Sequence, residues 1–190
     1  MKTINFAKGQ WAGNELIECY SFRFTETPKH TQFEDCIGNK VNPDHREGFD
    51  NISFVTEETY APGVKASLRC AFVSLGCPEI ILVPETETTK EGSVQYGACF
   101  EVVLYKDGVN VWRHFMEKDY SCHWHKRLGV EYPVTENDVH TLTVETKENY
   151  IIFSVDGKKT TLRTEDLPER FHIGITMCEG IVRLYDFTVE

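Results

Sequence analysis

The sequence predicts an all-β fold in which two antiparallel sheets pack face to face as a β-sandwich. Alternation of apolar and polar residues with period two dominates the chain, and helical periodicity is nearly absent. Turn signals separate the alternating runs, among them Asp107-Gly108, Asp156-Gly157 and Glu179-Gly180, and Asp-Gly between such runs is a strong hairpin signal. A chain of 190 residues, 41% of them hydrophobic, can bury a sizeable core, so one domain covering residues 1–190 is expected.

The predicted strands follow one another along the chain with short gaps. They cover residues 16–25, 51–56, 64–75, 79–83, 95–106, 109–115, 120–126, 139–145, 150–156, 158–163, 171–177 and 181–189. One segment, 164–170, has helical character, with Thr164 placed to cap a single turn. Two longer irregular segments, 26–49 and 84–93, are predicted loops, and loops of this length in compact domains often rim a functional site.

The net charge and the cysteine content limit which binding partners and which cellular compartment are expected. The net charge of −10 disfavours nucleic acid and anionic membranes, because both need clustered Lys and Arg, whereas neutral or cationic ligands fit it better. No apolar run approaches the roughly 18 residues of a membrane span. Seven cysteines without close pairing, and a start at Met1 without a signal-peptide core, predict reduced thiols in a cytoplasmic protein.

The turn signals in segment 95–126 predict how its strands pair and in what register. A two-residue turn at Asp107-Gly108 pairs Glu101 with His114, and a four-residue loop at 116–119 pairs Trp112 with His123. One face of the resulting three-stranded unit is apolar, with Phe100, Val102, Leu104, Val109, Val111, Phe115, Tyr120, Cys122 and Trp124. The opposite face, which we call the predicted platform, carries Glu101, Tyr105, Asn110, Trp112, His114, His123 and His125.

The chemistry of the predicted platform suits a sugar. An indole packs on the C–H face of a pyranose without demanding hydrogen bonds, and amide, carboxylate and imidazole groups satisfy the hydroxyls. In an enzymatic version Glu101 is the general acid or base and His114 its partner. Glycoside hydrolysis needs a second acid, for which Glu179 and segment 26–49 are the candidate sources.

The same residues allow other interpretations. The face can be an ordinary solvated sheet surface, or an aromatic surface that meets another protein chain. His123-x-His125 with His114 across the sheet could hold zinc in a metal-dependent enzyme, although no fourth ligand is defined, and we predict neither metal nor cofactor. Arg23 and Arg69 lie mid-strand, where a solvated face accounts for them. If they share the sheet of Glu101, they extend the platform and orient a carboxylate or a sugar hydroxyl.

Residues 150–157 and 171–189, within the second half of the chain (95–190), resemble strands of concanavalin A-like lectin and glucanase jelly rolls. The strand of 150–155 ending in Asp156-Gly157 is similar to a strand and turn of galectins and laminin-G domains. Residues 171–189, with Glu179-Gly180 between two strands, look like the closing strand pair of that fold, whose last strand returns beside the first. The glucanase pattern Glu-x-Asp-x-x-Glu is absent, because the segment beginning at Glu101 keeps one acid, and no family active site transfers residue by residue.

Together these observations predict an intracellular protein that binds or processes a small glycan or glycoside on a concave sheet face. A homo-oligomer is compatible with the sequence. The alternatives that remain open are a non-catalytic interaction domain and a histidine-rich metal-dependent enzyme.

Overall fold

A computed structural model describes residues 1–12, 15–22, 29–39, 51–117 and 121–190. Over these residues the secondary structure is all β, as predicted, with 61% strand and 0% helix, and segment 164–170 is not helical. None of the described residues therefore forms a helix long and apolar enough to cross a membrane. The strands are β1 (Lys2–Asn5), β2 (Ile17–Ser21), β3 (Thr31–Gln32), β4 (Ile37–Gly38), β5 (Asn51–Val55), β6 (Lys65–Val73), β7 (Cys77–Val83), β8 (Glu87–Thr88), β9 (Val94–Tyr96), β10 (Cys99–Tyr105), β11 (Gly108–Met116), β12 (Cys122–Glu131), β13 (His140–Lys147), β14 (Tyr150–Val155), β15 (Lys158–Arg163), β16 (His172–Cys178) and β17 (Ile181–Val189).

The strands form two sheets. The first sheet has the order β15-β14-β13-β6-β17-β4-β3, with β1 also paired to β17, and the second has the order β12-β11-β10-β7-β16-β5-β2-β9-β8. All pairings between the described strands are antiparallel except that of β2 with β9. Lys2 lies opposite Val189, so the last strand returns beside the first, as the family resemblance implied.

The main core lies between the two sheets and is made by alternate residues of their strands. In β10 and β11 the predicted apolar positions Phe100, Val102, Leu104, Val109 and Val111 are all buried there. Burial of each such side chain contributes about 1.5–3 kcal/mol. Because alternate residues point to opposite sides, the other residues of the same strands point to the outer face of the second sheet, which faces away from the main core.

The two Asp-Gly sequences behave differently. Asp156 and Gly157 have positive φ values of 50° and 80°, and Val155 pairs with Lys158, so the predicted two-residue turn is confirmed. At the other site Tyr105 pairs with Gly108, so the turn consists of residues 106–107 and Gly108 opens β11. Gly108 has φ 140°, and an added Cβ would lie 2.0 Å from the Val130 carbonyl oxygen, so the close approach of β12 requires glycine there.

The predicted pairing of β10 with β11 is therefore wrong by two residues. Glu101 lies opposite Trp112 rather than opposite His114. A shift of two preserves which side each residue occupies, because side chains alternate with period two. The face assignments within β10 and β11 survive the correction.

Glu179-Gly180 does not close a hairpin within one sheet. β16 belongs to the second sheet and β17 to the first, so this connection crosses between them, and the predicted closing strand pair is wrong. The buried Asn39 side chain stabilises this connection through three hydrogen bonds. Its Nδ2 donates to the carbonyl oxygens of Glu179 and Gly180 at 3.0 and 2.9 Å, and its Oδ1 accepts from the Val182 N–H at 2.8 Å. Of predicted loop 26–49, residues 29–39 are described and include β3 and β4, and the remainder lies outside the described residues.

Candidate functional site

A cleft of about 640 Å³ lies on the outer face of the second sheet, among β7, β10, β11, β12 and β16. Its lining includes the predicted platform residues Glu101, Tyr105, Asn110, Trp112 and His114. They come together because β10 and β11 are neighbours and all five side chains leave the sheet on the same side.

His123 and His125 do not belong to the cleft, so their place in the predicted platform is wrong. His123 lies opposite Phe115, and His125 lies opposite Arg113, both on the other side of the sheet. Trp124 takes the place predicted for the histidines: it lies opposite His114 and lines the cleft, where 53% of its surface is exposed. The assignment of Trp124 and Cys122 to the core face is wrong for the same reason.

The register of β11 with β12 explains why residues 122–126 present the other face: Trp112 lies opposite Lys126 rather than His123, and a shift of three residues reverses every side chain. A β-bulge then changes the alternation within β12. Val111 pairs with Leu128, whereas Trp112 pairs with Lys126, so Arg127 is an extra residue in β12. An extra residue reverses the alternation on one side of the bulge. Leu128 therefore packs against the core, while Trp124, on the other side of the bulge, faces the cleft.

Glu101 and His114 form a buried hydrogen-bonded pair in the cleft. The distance from His114 Nε2 to Glu101 Oε2 is 2.7 Å, and the two residues are only 3% and 5% exposed. Cys99 lies directly opposite His114 and is also buried, and its Sγ donates to Glu101 Oε1 at 3.8 Å. A thiol, a carboxyl group and an imidazole are thus gathered on two neighbouring strands.

Glu79 is a second buried carboxyl group in the cleft, and sequence reasoning missed it. Its strand, β7, pairs with β10 so that Glu79 lies opposite Val103 while Glu101 lies opposite Ile81. The two glutamates are therefore diagonal neighbours, a relation that places Cα atoms about 7–8 Å apart. The signal available in the sequence was an acidic residue inside an otherwise apolar strand, but nothing local showed that β7 lies beside β10. Glu179, named as a candidate second acid, also lines the cleft.

Aromatic rings and one amide complete the polar-aromatic surface. Trp124 stacks on the His114 ring with centroids 6.4 Å apart and an interplanar angle of 25°. Lys126 Nζ lies 5.8 Å from the centre of the Trp112 ring. Asn110 Oδ1 is buried and has no hydrogen-bond partner among the described residues.

The titratable groups lining the cleft are mostly acidic. Glu79, Glu101, Asp107 and Glu179 line it, against one lining cation, Lys106. Burial, followed by the charge of Glu79, raises the pKa of the Cys77 thiol well above its ordinary value. Burial and the charge of Asp107 raise the pKa of Tyr105, so its phenol is neutral and can both donate and accept.

Arg69 does not extend this surface. It lies on β6 of the first sheet, where its Nη1 contacts Asp186 Oδ2 at 2.7 Å in an exposed ion pair. The structure thus favours the solvated-face interpretation of Arg69, and Arg23 lies outside the described residues. The three-histidine zinc cluster is not formed, because His123 and His125 are on the side of the sheet opposite to His114.

The fold resembles several solved structures at low sequence identity. A carbohydrate-binding module, CBM66, from Bacillus subtilis aligns with a TM-score of 0.62 at 7% identity, over 86% of this chain and 92% of the module. A structure described with endo-acting O-glycanases of the human gut microbiota that initiate mucin breakdown aligns with a TM-score of 0.64 at 11% identity, over 100% and 98% of the two chains. β-Agarase A from Zobellia galactanivorans aligns with a TM-score of 0.61 at 10% identity, over 86% and 77%.

These likenesses establish the class of fold. The chain has a jelly-roll β-sandwich fold like that of these structures, as its sequence predicted. No protein-family model matches the sequence, and no curated protein matches it.

Proposed function

We propose that the protein binds a carbohydrate in the cleft on the outer face of the second sheet. The observation that carries the proposal is the cleft's combination of two indoles, Trp112 and Trp124, with the buried polar groups of Glu79, Glu101 and His114. Indole faces bury the C–H surface of a sugar ring, and the polar groups receive its hydroxyls. Structures of the same fold described as a carbohydrate-binding module and as an agarase support this proposal.

A thermal-shift screen of the purified protein tests it. A ligand that binds the native state raises the unfolding midpoint by mass action. We expect one class of mono- or oligosaccharide to raise the midpoint of the wild type and not that of Trp112→Ala. No shift with any saccharide, combined with self-association or capture of a peptide that depends on Trp124, would favour the interaction-domain alternative instead.

Glycoside hydrolysis is a second candidate function, and the diagonal relation of Glu79 and Glu101 favours it. Hydrolysis needs two carboxyl groups about 5–10 Å apart on either side of the glycosidic bond. In this version Glu101, hydrogen-bonded to His114, is general acid or base, and Glu79 is the second carboxyl group.

The test is release of reducing sugar from any saccharide found in the screen. Glu79→Gln and Glu101→Gln should each lower kcat by at least about a hundredfold, the usual contribution of general acid–base catalysis. Glu179→Gln is the matched control, because this glutamate also lines the cleft but sits on the connection between sheets. Binding without turnover would leave carbohydrate binding as the function.

We also propose that the protein acts inside the cell. The support is that all seven cysteines are free thiols, four of them buried and three half-buried, and that six of the seven lie in strands. Immunogold localisation or fractionation with compartment markers tests this, and recovery in a secreted fraction would contradict it.

A further inference from the structure

We propose that Cys99, Glu101 and His114 form a binding site for one transition-metal ion, with zinc as the ion that best fits the donor set. One donor atom from each residue lies within 4.8 Å of the other two. The residues are 1%, 5% and 3% exposed, so this is a buried group of three donors rather than a cluster of surface acids. This proposal does not depend on carbohydrate binding.

The backbone makes the three donors a rigid set. Cys99 and Glu101 are two residues apart on β10 and so point to the same side, and His114 lies directly opposite Cys99 on β11. Arg113 Nη1 donates to the carbonyl oxygens of Cys99 and His114 at 3.2 and 2.8 Å, which ties the two strands together at this level. Trp124 stacks on the imidazole. Because the three donor side chains already lie close together on paired strands, only small side-chain movements would bring them to one ion.

The donor chemistry selects the type of metal. A thiolate, an imidazole nitrogen and a carboxylate oxygen are the ligands of zinc sites, at about 2.0–2.3 Å from the ion, whereas calcium and magnesium take oxygen ligands. Three protein ligands leave a fourth position, and this position is on the cleft side because Glu101 and His114 line the cleft.

The proton balance of binding follows from the hydrogen bonds of the metal-free state. The proton between His114 Nε2 and Glu101 Oε2 and the thiol proton of Cys99 occupy positions that the ion takes. Zn²⁺ binding therefore releases the thiol proton of Cys99, while the imidazole proton moves from Nε2 to Nδ1, so the affinity rises with pH. An ion at this position also removes Glu101 and His114 from proton transfer, so metal binding and glycoside hydrolysis by these residues are alternative uses of one site.

Cobalt titration tests the site directly. The purified chain, treated with a chelator and kept reduced, is titrated with Co²⁺, which gives a thiolate-to-metal charge-transfer band only when sulfur is bound. We expect saturation at one equivalent, displacement of the band by Zn²⁺, and a rise in the unfolding midpoint on metal addition.

Variants assign the signal to the three residues. Cys99→Ala should abolish the charge-transfer band, and Glu101→Gln should weaken Co²⁺ binding at least tenfold while preserving the shape of the side chain. Cys70→Ala, which removes a buried thiol from the main core, is the matched control and should keep the band, as should a His123→Ala/His125→Ala double variant. The absence of a charge-transfer band in the folded wild type would overturn the proposal, as would an unchanged band in folded Cys99→Ala.

Discussion

His114 and Trp124 lie directly opposite each other on β11 and β12, and their rings stack with centroids 6.4 Å apart. This pairing gives the cleft its second indole and turns His123 and His125 to the other side of the sheet. The register at the turn between β11 and β12 sets the relation, and the bulge at Arg127 then returns Leu128 to the core side.

Trp124 should contribute to ligand binding and little to folding. Trp124→Ala removes a ring that is 53% exposed, so the unfolding free energy should change by less than about 1 kcal/mol. Ligand affinity should fall about tenfold or more, which corresponds to about 1.4 kcal/mol of lost stacking. Isothermal titration calorimetry with the saccharide from the screen measures the difference. His125→Ala and Arg69→Ala are controls that should bind like the wild type, and a loss in either would contradict the site as described.

Gly108 and Gly157 should respond differently to the same substitution. At Gly157, φ is 80° and nothing lies near an added Cβ, so Gly157→Ala should cost about 1–2 kcal/mol from left-handed strain alone. At Gly108 an added Cβ would also meet the Val130 carbonyl oxygen at 2.0 Å, so the strands must move apart. Urea unfolding should show the larger loss for Gly108→Ala. Equal losses would mean that β12 does not approach β11 as closely as described.

Asn39 should be a strong determinant of stability. It is 2% exposed and makes three hydrogen bonds to the connection at 179–182. Asn39→Ala leaves the buried N–H of Val182 without its acceptor, and we expect a loss of about 2–4 kcal/mol. The exposed Asn149 provides a control, since Asn149→Ala should shift the urea midpoint only slightly. A midpoint for Asn39→Ala equal to that of the control would refute this role.

His140 should make stability depend on pH. Burial by itself lowers the pKa of His140, but hydrogen bonds to the Thr135 carbonyl and Asp156, together with the charge of Asp156, outweigh it and raise the pKa above the ordinary value. Both ring nitrogens contact oxygen acceptors at 2.7 Å, an arrangement that favours the imidazolium. Because the folded pKa is the higher one, this stabilisation is fully present below the unfolded value of about 6.5 and is lost as pH rises through the folded pKa.

Asp156→Asn tests that pH dependence. Asparagine tolerates the left-handed turn and keeps an acceptor for the Thr141 N–H, but it removes the negative charge. Below about pH 6 the variant should be less stable than the wild type by about 1 kcal/mol, because Asp156 is half exposed and its charge is screened. Well above the folded pKa the two proteins should have similar unfolding free energies. A difference that grows with pH would have the wrong sign and would contradict the assignment.

The buried thiols should be slow to react in the native state. Burial raises the pKa of Cys19, Cys70 and Cys178 well above the ordinary value, and raises that of Cys36 to about 11, so little thiolate is present near neutral pH. Alkylation followed by mass spectrometry should label these four slowly in the native protein and all seven cysteines after denaturation. A cysteine that remains unlabelled without reductant after denaturation would reveal a disulfide and contradict the reduced state.

Local features of the sequence determined the fold class and much of one face. Period-two alternation identified the strands, because side chains of a strand alternate between core and solvent regardless of which strand lies alongside. The apolar face of Phe100, Val102 and Leu104 follows from that alternation alone. The Asp156-Gly157 turn was equally local, because it depends on two residues that tolerate positive φ.

The tertiary structure alone decided how strands distant in sequence meet. Nothing local places β7 beside β10, so Glu79 could not be assigned to the cleft, and nothing local assigns β16 and β17 to different sheets. The face of β12 depended on its register with β11 and on the bulge at Arg127. Because a register shift by an odd number of residues reverses every side chain, the local pattern could not assign this face. The sequence by itself determined what each strand is, and the tertiary structure decided which strands are neighbours and in what register, because pairing energies come from contacts between segments far apart in the chain.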